Sequence, residues 1–563
     1  MIVKRFFAIL TILTLTTGWQ AQAQIDVTYC RAHWWLTPDT LQITGVVTTH
    51  FKPTSGEIST IDFDLMGHLH VDSVVSHSQK LSFDSAPYSF HALQNGMEYS
   101  QKLTFNHSSN KLTVTLPATL AKGVTDSLTV YYHGKLKQTG MGSIGVNRPM
   151  RTLWTLSEPY GARDWWPCRQ NLCDKIDSMD IFVNCPAELK VASNGVIVSD
   201  ITNGSRHTTH YRVRHPLSYY TIGVAVGNYK TIESKSVLAT GDSVQLVEYF
   251  WPSDPLESLD FTDSLINYFS NYFTPYPFAN EKYGEAYISG EASIEHQTMT
   301  FITDPHNYVT VAHEMMHQWF GNYVTCKSWH SIWVNEGFAS FGELLALEHF
   351  LPNEVESWHD YNISTALRAK SPLYIADTAN HNRIFDIPST YCKGAMVVVM
   401  LRNEIGEPAF RQGCRLILER FGNGFATVDD ARQCFEQAAD TTLIDFFNRW
   451  IYGGGYPNFR VAYNTTKSGK VTIDMKQTAT KLKSDDPDFY PLHITVRLVG
   501  KNERKDVRLH LTSPQQQFVV PVDFKVDYVI FDPNKDILGI WCWKKNDKHN
   551  RCCGPCSERI WGL

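Results

Sequence analysis

Charge is scarce in this 563-residue chain: charged residues make up 19% of it, and 51 Lys and Arg against 57 Asp and Glu leave a net charge of -6. A balance that small exerts no pull toward nucleic acid, so no nucleic-acid partner is expected. Long apolar runs are missing too. Beyond the N-terminus none reaches the ~20 residues that cross a bilayer, so the mature chain is expected to have no transmembrane segment. No period recurs and no low-complexity tract appears, which excludes solenoids and propellers. Twelve cysteines are too few to define the fold through disulfides. Cys168 and Cys173 are spaced for a local pair, and the tail holds Cys552, Cys553 and Cys556. The tail's Cys-Gly-Pro-Cys lacks the strand-to-helix context of a thiol-exchange site, so it reads as a structural pair or a tail.

What is present begins with an export pattern. Lys4 and Arg5 precede an apolar stretch from Phe6 to Leu15, followed by the small residues of Ala21-Gln22-Ala23. Residues 1–23 therefore read as a cleavable signal peptide and the chain as exported, to a periplasm or outside the cell. At this length two or three cores are expected. From Ile25 to Lys230, short runs alternate apolar and polar residues, as in Lys111 to Leu116, between turn residues. The span 24–230 is thus an N-terminal antiparallel β domain. Helical spacing then dominates in Leu256 to Phe273, Val309 to Phe320, Ile332 to Phe350, Gly394 to Ile405 and Leu443 to Tyr452, giving a mainly helical domain over 231–455. Gly453-Gly454-Gly455-Tyr456-Pro457 reads as a linker. Strand patterns return in Val471 to Met475, Leu492 to Leu498, Val507 to Leu511 and Tyr528 to Phe531. A small β domain over 456–540 and a Cys-containing tail over 541–563 complete an α+β multidomain chain.

The chemistry concentrates in His313-Glu314-Met315-Met316-His317. On a helix, residues four apart share a face, so both imidazoles can hold one Zn²⁺ while Glu314 faces the water on that ion as a base. Such a pentapeptide alone also fits a helix with two hydrogen-bonded histidines. The next helical segment resolves this, because Glu336 follows His317 after eighteen intervening residues in Trp333-Val334-Asn335-Glu336-Gly337-Phe338-Ala339. It supplies the third protein ligand that a catalytic zinc needs beside one open position. Glu343, seven residues further on the same helix face, fits either a second acceptor behind a ligating histidine or a solvated surface glutamate.

Three segments together, His313 to Asn322, Trp333 to Ala339 and Tyr391-Cys392-Lys393-Gly394-Ala395, resemble the M1 family of zinc aminopeptidases in order and separation. The resemblance spans roughly Leu153 to Leu401 and implies a β domain, a thermolysin-like helical catalytic domain and a small β domain. It implies one zinc per chain on His313, His317 and Glu336, with Glu314 as catalytic base and Tyr391 as donor to the developing oxyanion. It further implies two glutamates that bind the substrate's free amino group. One is Glu295, in Ala292-Ser293-Ile294-Glu295-His296, where the family has Gly-x-Met-Glu-Asn. The leading glycine and the methionine are replaced here, and alanine puts a Cβ where a peptide backbone passes closely. The other is Glu158, within Ser157 to Arg163 and just before Trp166-Pro167-Cys168.

The reading that follows is a zinc aminopeptidase acting on peptides with a free N-terminus. A thermolysin-type endopeptidase shares the zinc site but has no need of Glu158 and Glu295, and an inert peptide-binding relative has no need of Glu314. A zinc-dependent epoxide hydrolase, as in one family member, has no lipid tunnel to point to. Many relatives also carry a large helical C-terminal domain, whereas about one hundred residues of strand character follow the linker here. A more open cleft for longer peptides is the expectation. Oligomeric state has no signature in the sequence.

Overall fold

The computed structural model describes residues 25–77, 101–137, 143–254, 259–466 and 469–545. The expected signal peptide and Cys552, Cys553 and Cys556 lie outside these residues. In the first region the alternating runs form strands, with every second side chain facing the core. The strand Ile25–Thr37 pairs antiparallel with Gln42–Pro53 and parallel with Met179–Pro186, inside an eight-stranded sheet. Trp34, Trp165 and Trp166 are fully or almost fully buried together. The Trp34 indole N–H donates to the Tyr132 hydroxyl, which donates in turn to the carbonyl of Trp165. This core has a role beyond packing. The Trp165 indole donates to Ser157 Oγ, and Ser157 donates to the carbonyl of Ile222. The loop that carries Glu158 is thereby fixed from behind.

The second region opens with a four-stranded sheet of Lys230–Val237, Ser243–Phe250, Tyr283–Tyr287 and Thr300–Ile302, antiparallel in its first pair and parallel after it. Nine α-helices accompany it among the described residues: α1 (Asp260–Tyr272), α2 (Tyr308–Met316), α3 (Trp333–Phe350), α4 (Val355–Ala366), α5 (His381–Ile384), α6 (Gly394–Ile405), α7 (Glu407–Phe421), α8 (Val428–Ala439) and α9 (Ile444–Phe447). The bounds of α6 coincide with the apolar spacing in the sequence. Helix α2 is shorter than that spacing indicates, because the chain tightens after Met316 into bonds from Gln318 N to Met315 O and from Trp319 N to Met316 O. It turns away at Gly321, whose φ of +137° and 3.2 Å clearance between a would-be Cβ and the His317 carbonyl both demand glycine. The helical run His381–Ile405 has the length and hydropathy of a membrane span, contrary to the expectation that no later stretch would. Of its most apolar 18 residues 72% are buried within the protein, which makes it a core element.

Gly453 to Gly455 is not a free linker. Gly455 has φ of +80°, and a Cβ there would lie 1.8 Å from the carbonyl oxygen of Thr480. The Gly454 amide donates to Asp486. The chain runs directly into Tyr456–Thr466, part of a four-stranded sheet, and a three-stranded sheet of Arg504–Leu511, Leu492–Val499 and Tyr528–Phe531 lies in the same region. Cys168 and Cys173 are both free thiols. Cys168 is buried, while Cys173 is exposed with its thiol on the carbonyl of Lys327, so the local pair does not form.

Two packing features generate predictions. Helices α2 and α3 approach so closely at Gly342 that a Cβ would lie 2.7 Å from Met316 Cβ. Gly342→Ala is expected to cost ~1–3 kcal/mol through overpacking, read as a lower denaturation midpoint. Glu248 and Glu285 are fully buried register partners on parallel strands. Burial pushes Glu285 up to about 7, so the folded chain keeps its proton over a range where the unfolded chain, near ~4.3, has lost it. Stability from this group is present at low pH and is lost as pH rises through about 7. Glu285→Gln is expected to gain ~3 kcal/mol over the parent between pH 5 and 8, measured by denaturation at each pH.

Candidate metal centre and amine pocket

Helix α2 starts at Asn307, whose side chain accepts from the amides of Val309 and Thr310. One turn from its end it presents His313 and, at the capping position, His317, with ring centroids 4.9 Å apart. His317 retains helical backbone angles, so the one-turn spacing survives the early helix stop. Both Nε2 atoms face one oxygen of Glu336, on the first turn of α3, at 3.3 and 3.4 Å.

These separations test whether the cluster suits an ion. A charge-assisted hydrogen bond closes to ~2.7–2.9 Å. Two ligands at ~2.0–2.1 Å from a tetrahedral zinc stand roughly 3.3 Å apart. The observed spacing is the second kind, and one atom from each of His313, His317 and Glu336 lies within 4.8 Å of the others. The far side of each ring is also fixed. His317 Nδ1 lies 3.1 Å from the carbonyl of Phe320, which only accepts, so Nδ1 carries the proton and Nε2 faces Glu336 with its lone pair when the ring is neutral. His313 Nδ1 lies 2.7 Å from Glu343, whose other oxygen accepts from the Trp358 indole at 2.7 Å. Glu343 is thus the acceptor behind a ligand, and its spacing of seven residues from Glu336 was the signal that pointed to it.

Carboxylates crowd the space beside the imidazoles. Glu158, Glu295 and Glu336 each place an oxygen within 4.8 Å of the others, and so do Glu295, Glu314 and His317. Burial, then the neighbouring charges of Glu295, Glu336 and Glu314, raises Glu158 well above the usual carboxylate range. Burial likewise raises Glu295 and pushes Glu314 up to about 8. Burial would lower both histidines, but the glutamates outweigh it, holding His313 far above its ordinary value and His317 at about 9. Burial opposes ionisation of Glu336 as well, yet the two imidazoles bring it down to about 2. Oε1 of Glu158, Oε1 of Glu295 and Oε2 of Glu314 are buried without a hydrogen-bond partner. Three such acceptors in one cluster ask for donors from outside the chain.

Each carboxylate is held by a different region. Glu158 follows Ser157 in the loop described above. Glu295 sits beside the bridge in which Ile294 and Phe301 exchange backbone hydrogen bonds at 2.8 Å, and its carbonyl accepts from Asn322 at 2.8 Å. The following turn is strained at Thr298, with φ of +63°, but the amide of Thr298 donates to Gln318 and its hydroxyl accepts from the amide of Gly195. Tyr391 lies in a π-helical turn, Ile387–Lys393, that leads into α6. Its ring centroid is 6.0 Å from that of His313. Burial and then the charges of Glu336, Glu158 and Glu295 keep its phenol protonated. What brings Tyr391 there is a glycine contact: a Cβ on Gly394 would lie 3.2 Å from the Cα of Gly337, so α6 begins against the first turn of α3.

All seven residues singled out in the sequence therefore meet at one place. Two supports had no sequence signal, because their partners are remote: Lys175, buried and donating to the carbonyl of Asn322 at 2.7 Å, and Tyr220, which donates to the carbonyl of Gly321 and accepts from Asn335.

Two imidazoles one helical turn apart, facing a carboxylate from the next helix with a glutamate between them, form a donor group that can hold a metal ion. Residues 286–450 match the Peptidase family M1 domain. Among its relatives are Aminopeptidase M1-B of Oryza sativa subsp. japonica, 27% identical over 362 residues that make up 59% of this chain and 40% of the relative. The puromycin-sensitive aminopeptidase of Caenorhabditis elegans is 23% identical, over 81% of this chain and 52% of its own length. The chain thus spans about half or less of these relatives. An M1 zinc metallopeptidase from Deinococcus radiodurans has the same fold, with a TM-score of 0.62 over 74% of this chain and 91% of that one at 24% identity. A structure of that protein's variant bound to a Tyr-Ser-Ala substrate gives a TM-score of 0.64 at 23% identity.

Glu343→Gln keeps the shape but weakens the acceptor behind His313. Zinc affinity is expected to fall ~10–100-fold, measured by competition with a chromogenic chelator; unchanged affinity would remove Glu343 from the centre.

Proposed function

We propose that the protein is a zinc-dependent aminopeptidase, with one ion per chain held by His313, His317 and Glu336. The observation that carries this reading is the placing of Glu158 and Glu295, each with a buried unpartnered oxygen, beside the three donor residues. Two carboxylates can hold one ammonium group, and a peptide so anchored has only its first carbonyl within reach of the donor cluster. An endopeptidase gains nothing from such a pocket. Relatives named aminopeptidases and a neighbour solved with a peptide bound agree with it.

When bound, zinc supplies a Lewis acid for the carbonyl oxygen and lowers the pKa of water at its open position toward neutrality. The chain does the rest. The unpartnered Oε2 of Glu314 accepts a proton from the attacking water, and the same carboxyl then passes it to the leaving amine. Tyr391 keeps its phenolic proton and donates it as a hydrogen bond to the oxyanion, a contribution of ~3–4 kcal/mol when such a donor is well placed. Glu158 and Glu295 set the register. Their charges are most easily left ionised when an ammonium group lies between them.

Export to a periplasm or the extracellular space belongs to the same proposal and rests on Lys4, Arg5, the stretch from Phe6 to Leu15 and Ala21-Gln22-Ala23.

The test pairs aminoacyl chromogenic amides with N-blocked peptides, on protein stripped by a chelator and then reloaded with zinc. Cleavage only of unblocked substrates, and only with zinc, is expected. Glu314→Gln should lose ~10³-fold or more of kcat while still binding zinc. Tyr391→Phe should lose ~10²–10³-fold of kcat. Glu158→Gln and Glu295→Gln should raise KM for unblocked substrates. Cleavage of blocked peptides would instead identify an endopeptidase, and tight zinc binding without cleavage an inert binder.

A further inference from the structure

Outside the centre described above, and among the described residues, one other group of His and Glu side chains brings a donor atom from each of three residues within 4.8 Å of one another. Glu404 lies on the last turn of α6, and His493 and His510 lie on the neighbouring strands Leu492–Val499 and Arg504–Leu511. His493 and His510 are direct register partners, so their side chains leave the sheet on one face. Their ring centroids are 4.0 Å apart and the rings are within 12° of parallel. Glu404 reaches them from the helical region, with Oε1 2.7 Å from His493 Nδ1 and Oε2 accepting from the His493 amide at 3.2 Å. One donor atom from each of the three residues lies within 4.8 Å of the other two.

We propose that Glu404, His493 and His510 form a second metal site, distinct from the His313–His317–Glu336 centre, that takes a borderline divalent ion such as zinc or copper(II). Two neutral imidazole nitrogens and one carboxylate oxygen suit such ions, whereas calcium and magnesium require mostly oxygen. Binding breaks the hydrogen bond between His493 Nδ1 and Glu404: the ring proton moves from Nδ1 to Nε2, and the ion takes its place between the two atoms. The two atoms then separate from 2.7 Å to roughly 3.3 Å. His510 is exposed, so its ring is free to turn about the broad terminal torsion and bring a lone pair toward the same point. The nearby cation is Arg508, which does not compete for the donor atoms: it donates to the carbonyls of Asn403 and Glu404 at the C-terminal end of α6. Asn403 donates to the carbonyl of His493 at 3.0 Å, which fixes the register of helix and strand with no ion at all. The site therefore has a preset frame and an adjustable ligand.

An ion here would join α6 to the C-terminal β region by direct bonds. Because α6 begins three residues after Tyr391, it would hold both ends of one helix against metal-bearing partners. This proposal concerns stoichiometry and stability and stands apart from any peptidase activity.

The full chain, stripped by a chelator and dialysed against micromolar zinc, is expected to retain two ions per chain by mass spectrometry of the metal. His510→Ala and Glu404→Gln should each retain one, and so should His317→Gln, which leaves the second site intact. Zinc should raise Tm in His317→Gln but not in the His317→Gln, His510→Ala double variant. Copper(II) loaded into His317→Gln should show nitrogen coupling in its electron paramagnetic resonance spectrum that weakens on loss of His510. One ion per parent chain would overturn the proposal. A second ion that survives both His510→Ala and Glu404→Gln would also overturn it, by placing the ion elsewhere, such as at His70, Asp72 and His133.

Discussion

Buried negative charge is the constraint on which this molecule is organised. Glu158, Glu295, Glu314, Glu336 and Glu343 all lie in or against one cluster, mostly out of contact with water. A carboxylate in such surroundings either takes up a proton or meets a positive charge, because an isolated buried anion costs many kcal/mol. Two imidazoles cannot neutralise five carboxylates. A divalent ion among His313, His317 and Glu336 would supply two positive charges, and an ammonium group between Glu158 and Glu295 a third. Burial, together with the neighbouring carboxylates, raises Glu158, Glu295 and Glu314, the direction expected where cations are wanting. On the proposed reading, affinity for metal and for a free amino end is the return of solvation energy given up in folding.

Holding that charge requires three regions to meet, which explains why the contacts around it are so close. The N-terminal β domain delivers Glu158 through the Trp165 to Ser157 to Ile222 chain of hydrogen bonds. The edge of the second sheet delivers Glu295, and helices deliver the rest. At two positions the helices close on a glycine, Gly342 under the Met316 side chain and Gly394 against the backbone of Gly337. Any added methyl there moves a donor by several tenths of an ångström, which is large beside the spacing of two metal ligands. Glycine in a helix interior costs ~0.5–1 kcal/mol relative to alanine. That cost is accepted where it sets the position of His317 relative to Glu336 and of Tyr391 relative to both.

Much of this was legible in the sequence because it is local. The pairing of His313 with His317 depends on helix periodicity, the reach to Glu336 on a short connection between helices, and the bounds of α6 on apolar spacing, whereas Tyr391 was legible only through the motif that resembles the M1 family. The end of α2 was misjudged for a definite reason: Trp319 and Phe320 continue the apolar spacing as core residues after the helix has stopped, and only the backbone at Gly321 records the turn. Gly453 to Gly455 has the composition of a flexible linker, yet its glycines are there for close approach to Thr480 and Asp486. Least legible were the long-range supports. Lys175 and Asn322 are 147 residues apart, and no local pattern distinguishes a buried lysine that caps a remote carbonyl from a surface one.

The departure in the Ala292 to His296 segment can now be weighed by position. Ala292 is exposed, ahead of the bridge at Ile294, whereas Glu295 is anchored after it by Phe301 and Asn322. The replaced glycine therefore lies on the approach side and leaves the anchor of the carboxylate untouched. The residues that follow are more constrained. His296 is fully buried against Phe301 with both ring nitrogens unpartnered, and burial brings it down to about 3, so it stays neutral. A neutral ring adds no cation beside Glu295. Had His296 been charged, it would have occupied the electrostatic role proposed here for the substrate's ammonium group. On the proposed reading, the segment departs from the pattern it resembles at an exposed position and keeps, in chemically neutral form, the neighbour of the glutamate that would hold the ammonium group.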